Sequence, residues 1–279
     1  MNLLKYGVST LLLGATLFAS AQVDEKVIMF EKQRFLANQG LVLQEVTVKS
    51  KEKLPLKGWY GYVLNIKANV PGRGMVSGSD MLFSNGEAVA MDLLNMKNGN
   101  SFKDLLTPKV TAAYYTKGHL IAGNENAKNK VVVFSDPLCP ACQQTIPGMI
   151  QKANANATDI ALYYYHFPLL SLHPAALTLS KAMVVAKQQG IKEVEMKMYV
   201  TNFSKYFSSR ETNAQKILDG FNKVYNTDIK LSEIENVMVT KEVEVDMKMG
   251  EDVMIQGTPT IYVNGKFDKT RRMFGSLGK

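Results

Sequence analysis

The only two cysteines of this 279-residue chain, Cys139 and Cys142, stand as Cys-Pro-Ala-Cys directly behind an apolar run, Val131, Val132, Val133 and Phe134. A disulfide across so short a loop cannot brace a chain of this length. The fold must therefore be held by hydrophobic burial, for which 46% apolar residues is ample material. The same spacing suits reversible dithiol-disulfide exchange, in which the thiolate is the nucleophile. Two other readings share it: an inert short-loop disulfide, and half of a zinc site. Zinc needs two further ligands, and His119, His166 and His173 are scattered through the sequence without a second cysteine pair. These histidines read as surface or structurally hydrogen-bonded groups, and no metal or other cofactor is expected. A two-coordinate soft-metal site on the thiols alone is the residual metal alternative.

Residues 1–21 read as a secretory leader. Lys5 supplies the basic start, 8–18 the apolar core, and Ala19-Ser20-Ala21 a small-residue cleavage site. The expectation is export, with cleavage near Ala21 and a mature chain beginning near Gln22. The apolar stretch is shorter than the roughly 20 residues that span a bilayer. The formal charge is +8, but Lys and Arg are dispersed rather than clustered. That pattern fits a solvated surface, and no nucleic-acid partner is expected.

Along the chain, 25–38 carries Val27, Ile28, Phe35 and Leu36 at helical spacing, with Gly40 just beyond to end it. Strand patterns follow: Val42, Val46 and Val48 on one face, then Tyr60, Tyr62, Leu64 and Ile66 on one face of another. Asn85-Gly86 reads as a tight hairpin turn, both residues tolerating positive φ. This makes 22–100 a small α+β unit. A polar, glycine-containing stretch over 101–130 reads as a connector, with a boundary near 118. The second unit, 131–279, alternates a strand over 131–134, a helix from the Cys-Pro-Ala-Cys segment and a strand over 160–164. Helical patterns then cover 175–189, 193–206, 214–225 and 231–253, before a final strand over 261–263 and the turn Asn264-Gly265. The order predicts an α/β layer with a helical insertion.

If Cys139 caps the helix, the unpaired amides and positive dipole end of its first turn stabilise a thiolate there. Pro140 suits the first helical position, where proline forfeits no hydrogen bond. Cys139 becomes the exposed attacking sulfur and Cys142 the more buried, resolving one. Pro140 and Ala141 offer no side-chain donor, so the helix terminus is expected to carry most of the stabilisation.

The segment from Phe134 through Ser135, Asp136, Pro137 and Leu138 to Cys142 resembles the active site of thioredoxin-fold Dsb proteins. Pro147 is similar to the proline that kinks the active-site helix in that superfamily, and Thr258-Pro259 resembles the cis-proline element that faces the cysteines. Over the whole chain, the layout resembles periplasmic disulfide isomerases of the DsbC and DsbG type. What the resemblance implies is an α/β fold: a thioredoxin-like catalytic domain with a helical insertion, preceded by a small α+β dimerisation domain and a linker. It further implies a cis bond before Pro259, with the backbone of Thr258 pairing with substrate and Pro259 excluding metal opposite the thiols. Homodimers, a membrane redox partner of Dsb type and exported cysteine-containing substrates follow from the same likeness. This chain departs from the type in having no further cysteines, and only fourteen residues follow Gly265, so the closing helix must be very short or missing.

Three activities fit these features. One is isomerisation or reduction of non-native disulfides in the periplasm; another is DsbA-like donation of a disulfide, which uses the same residues in the opposite resting redox state. The third is a dimeric chaperone with an adaptable apolar surface supplied by 15 methionines and 12 tyrosines. Tyr163, Tyr164, Tyr165 and Phe167 either line a peptide groove or are simply buried.

Overall fold

A computed structural model describes residues 9–37, 41–70 and 74–278. The chain divides into two compact units, Met1–Thr107 and Pro108–Lys279.

In the first unit, helix α1 (Ser9–Leu36) precedes a sheet of strands β1 (Val42–Lys53), β2 (Tyr60–Val70), β3 (Gly74–Ser84) and β4 (Val89–Ala90), antiparallel in that order. The helix expected at 25–38 thus begins earlier, inside the segment read as a leader. Residues 1–8 of that leader, and Asn38 and Gly40, lie outside the described residues. Among the described residues no helix is long and apolar enough to cross a membrane. Val23, Val27 and Phe35 recur at fourth-residue spacing and pack on Val46, Tyr62, Leu64, Ile66 and Leu82. Tyr60, Tyr62, Leu64 and Ile66 do share that face.

Val42 does not join Val46 and Val48 there. A register shift between Leu43 and Glu45 inserts one residue and reverses the alternation, so Leu43 packs inward and Val42 is exposed. The turn at Asn85 is also longer than a two-residue hairpin. The Asn85 side chain accepts hydrogen bonds from the amides of Glu87 and Ala88, and only Gly86 of the Asn-Gly pair has positive φ. Helix α2 (Lys103–Leu106) closes the unit, with Leu106 against Gly61 of β2.

The second unit holds a five-stranded sheet ordered β5-β7-β6-β8-β9: β5 (Leu120–Gly123), β6 (Asn129–Ser135), β7 (Ile160–His166), β8 (Thr260–Val263) and β9 (Lys266–Phe267). Only β6 and β7 run parallel, joined by helix α3 (Pro140–Ala155). Between β7 and β8 lies the helical insertion: α4 (Ala175–Gln188), α5 (Val194–Val200), α6 (Ala214–Tyr225), α7 (Leu231–Ile234) and α8 (Val237–Asp252); α9 (Arg272–Ser276) is the short closing helix.

Both faces of this sheet are covered, which is why β6 reads as an unbroken apolar run. Val131, Val133, Leu162 and Tyr164 meet Ile146, Met149 and Ile150 of α3 on one side; Val132, Phe134, Tyr163 and Tyr165 meet Tyr114, Val253 and Tyr262 on the other. The tyrosine run is therefore core, not a groove.

Three expectations are corrected here. The stretch 101–130 is not a connector throughout: β5 is an edge strand of the sheet, and the units divide at Thr107 rather than near 118. Gly123, read as linker glycine, has φ +79°, and a Cβ there would lie 1.9 Å from the Ile160 carbonyl oxygen. The helical patterns over 193–206 and 231–253 each split where asparagine caps a new turn. Asn202 accepts from the Ser204 amide and Asn236 from the Met238 amide.

Candidate functional site

The site forms where β6 ends. After Ser135, the chain turns through Asp136 and Pro137 into α3, with Cys139 as its N-cap in extended conformation and Pro140 in the first turn. The amides of Cys142 and Gln143 both donate to the Cys139 carbonyl at 3.0 Å. Asp136, fully buried, organises the approach: one carboxylate oxygen accepts from the Leu138 amide at 2.7 Å. The other accepts from the Leu169 amide at 2.7 Å and lies 3.0 Å from Nδ1 of His173. Pro147 lies inside α3 and withholds a hydrogen bond from the helix interior.

Across from the sulfurs, the Thr258–Pro259 peptide is cis, and the Thr258 carbonyl accepts a hydrogen bond from Cys139 Sγ at 3.3 Å. Both cysteines are free thiols. Cys139 is 8% exposed and Cys142 is sealed at 0%. The order of exposure follows the sequence reading, but the attacking sulfur is far less open than expected.

The Cys139 thiol is pulled down to about 5, chiefly by a hydrogen bond from the Cys142 thiol, with burial opposing and Thr258 and the Cys142 and Ala141 amides assisting. Among the individual contacts the neighbouring thiol comes first, ahead of each of the helix-terminus amides of Cys142 and Ala141. Burial pushes Cys142 the other way, well above the usual thiol range, and its hydrogen bond to Cys139 adds to this; Ser135 and Thr258 hold it down in part. The Thr258 hydroxyl is buried without a hydrogen-bond partner in the dithiol state. It favours the charged form of either sulfur as a donor to the thiolate.

All six sequence-derived site residues thus fall in one place or on the helix that serves it: Cys139, Cys142, Pro140 and Pro147 on α3, Thr258 and Pro259 opposite. Sequence reasoning placed Ser135 and Asp136 in the active-site segment without giving either a role, and missed His173, Tyr164 and Tyr199 as parts of the site. The one available signal was polar Ser135 and Asp136 wedged between an apolar strand and the first cysteine. The histidines are all hydrogen-bonded or buried: His119 lies 2.8 Å from Asp246, and burial pushes His166 down to about 4 despite the opposing charge of Asp246. Among the described residues no group of three or more His, Cys, Asp or Glu gathers around a possible metal position.

The family model described as thioredoxin matches residues 115–276. Among solved structures, a thioredoxin-like oxidoreductase from Silicibacter pomeroyi DSS-3 is 20% identical, with 57% of this chain and 87% of that one covered and a TM-score of 0.47. The catalytic domain of Proteus mirabilis ScsC is 19% identical, covering 56% of this chain and 82% of that one at a TM-score of 0.44. Oxidised BdbD from Bacillus subtilis is 21% identical, covering 58% and 88% at 0.43. No curated protein matches the chain.

Proposed function

Because the chain belongs to the thioredoxin family, we propose that it is a thiol-disulfide oxidoreductase whose Cys139 attacks non-native disulfides of exported proteins and isomerises or reduces them. The observation that carries this is the placement of Cys139 Sγ at the tip of α3, 3.3 Å from the Thr258 carbonyl, with its thiol pulled down to about 5. At neutral pH such a sulfur is a thiolate, ready to attack without a separate base.

In the reaction, the Cys139 thiolate forms a bond to one sulfur of a substrate disulfide, and the other substrate sulfur leaves with the electron pair. Either a different substrate thiol or Cys142 then attacks the mixed disulfide. The first outcome isomerises the substrate, whereas re-attack by the departed sulfur only restores the original disulfide; the second reduces it and leaves Cys139 and Cys142 joined. Thr258 offers its backbone beside the reacting sulfur, in the place where an extended substrate segment pairs. Export through the leader at 1–21, a periplasmic setting, a Dsb-type membrane reductant and a homodimer formed by residues 22–100 complete the reading. The two-unit division supports this layout.

Loss of the Cys139 side chain, as Cys139→Ser, abolishes recovery of activity from a ribonuclease with scrambled disulfides; retained recovery defeats the mechanism. One observation favours the alternative of a DsbA-like oxidase. A strongly lowered Cys139 pKa stabilises the reduced state, and that makes the disulfide form a better oxidant. Acid-quenched alkylation of intact cells with a mass tag separates the two: a reduced pair at rest supports the isomerase, an oxidised pair the oxidase.

A further inference from the structure

Behind Cys142 lies a buried row of three hydroxyls. Ser135, fully buried at the end of β6, holds the Cys142 thiol down against its burial, and Cys142 shares one buried core with Tyr164 and Tyr199. The Tyr199 hydroxyl, from α5, donates to Ser135 Oγ at 2.7 Å, and the Tyr164 hydroxyl, from β7, lies 2.8 Å from that of Tyr199. Three elements separated by up to 64 residues thus join in one row inside the core that holds Cys142. Each hydroxyl has a single proton and can donate once while accepting once. When the sulfur is charged, all three protons can point the same way: Tyr164 to Tyr199, Tyr199 to Ser135, Ser135 to Cys142. In a dry interior such a row is polarised along its length and stabilises the charge at its end more than one hydroxyl alone. Burial pushes both tyrosines well above their ordinary range, so they stay protonated donors at any working pH.

We infer that Ser135, Tyr199 and Tyr164 form a hydroxyl chain that stabilises the Cys142 thiolate in the step that releases a mixed disulfide. This rests on the oxidoreductase reading above. Ser135 is the member of the row that acts on the reacting sulfur; the tyrosines act through it as positioning residues. In that step Cys142 Sγ forms a bond to Cys139 Sγ, and the bond from Cys139 to the substrate sulfur breaks. The substrate sulfur leaves with the electron pair and takes up the proton given up by Cys142, so no outside oxidant or base is consumed. Cys142 is sealed from water and cannot be charged by hydration. A protein donor row is what replaces the solvent there.

Ellman's reagent, an aromatic disulfide, separates the two sulfurs on the intact reduced chain. Attack by Cys139 releases a first equivalent of coloured thiolate, and attack by Cys142 on the resulting mixed disulfide releases a second. Ser135→Ala slows the second release roughly tenfold to a hundredfold, the scale of a lost hydrogen bond to a charged group. Tyr199→Phe slows it roughly tenfold and Tyr164→Phe severalfold, the effect fading along the row. In each variant the pH midpoint of the second release moves upward, while the first release serves as the internal reference. A second release that keeps its rate and midpoint in both Ser135→Ala and Tyr199→Phe overturns the inference. So does an equal slowing of both releases, which marks a packing defect. If the unaltered protein shows no rapid first release, the oxidoreductase reading itself falls.

Discussion

The two units bury polar side chains for different ends. In residues 1–107, Glu31 is fully buried on α1 and is answered by Arg34 at 2.6 and 3.0 Å; Arg34 also pairs with Asp80 of β3. That polarity fastens a helix to a sheet. In residues 108–279, buried Asp136 instead accepts from backbone amides beside the thiol pair, and buried Ser135 holds the Cys142 thiol down. The lesson is that similar buried groups brace an element in one unit and set a thiol's charge in the other. What separates the two cases is whether their partners are fixed charges or titrating ones.

Glycines give the largest expected contrast. Gly58 in the first unit and Gly123 in the second share φ +79°, yet a Cβ at Gly58 meets nothing within 4 Å and one at Gly123 meets the Ile160 carbonyl at 1.9 Å. Gly58→Ala should cost only the left-handed backbone penalty, about 1 kcal/mol. Gly123→Ala adds a clash that parts β5 from β7, and should cost at least about 3 kcal/mol. Urea unfolding followed by hydrogen exchange in each unit measures both. Equal losses would break the contrast.

Acid should separate the units next. His166, in the second, is held neutral by burial at about 4 against 6.5 when free. The unfolded chain therefore takes up a proton before the folded one does. Stability falls as pH drops from about 6.5 to about 4, and the loss levels off below that, on the order of 3 kcal/mol in all. His166→Gln should flatten this limb in the second unit. An unchanged limb would show that other groups carry it.

The smallest effect sharpens the site. Cys139 is depressed to about 5 from an ordinary value of 9. Its charge thus favours the reduced fold fully above about 9, progressively less below it, and not at all once pH has fallen through about 5. Cys142, raised, stays neutral over that window and adds nothing to it. The rate of iodoacetamide alkylation at Cys139 should titrate near pH 5. Thr258→Val, which removes the unpartnered hydroxyl, should move that midpoint up by about one unit. No movement would leave Thr258 acting through its backbone alone.

Local rules made a good part of this molecule legible. A cysteine followed by proline at the end of an apolar strand reads as a helix cap, because the cap and the first turn depend only on adjacent residues. The face of β2 and the bounds of α6 were legible from residue pattern alone; the Asn213 cap that accepts from the Lys216 amide was seen only in the structure. Where a single inserted residue reversed the pleat at Val42, or an asparagine restarted a helix at Asn202 and Asn236, periodicity alone misread the chain.

The residue pattern by itself determined that a thiol pair sits at a strand-to-helix junction, with an apolar run on one side and a proline-led turn on the other. Only the tertiary structure decided what surrounds the sulfurs. The Thr258 carbonyl reaches Cys139 from 119 residues away, and Tyr199 and Tyr164 line up behind Ser135. Such meetings depend on how buried faces close over one another, which the neighbours of a residue in sequence do not fix.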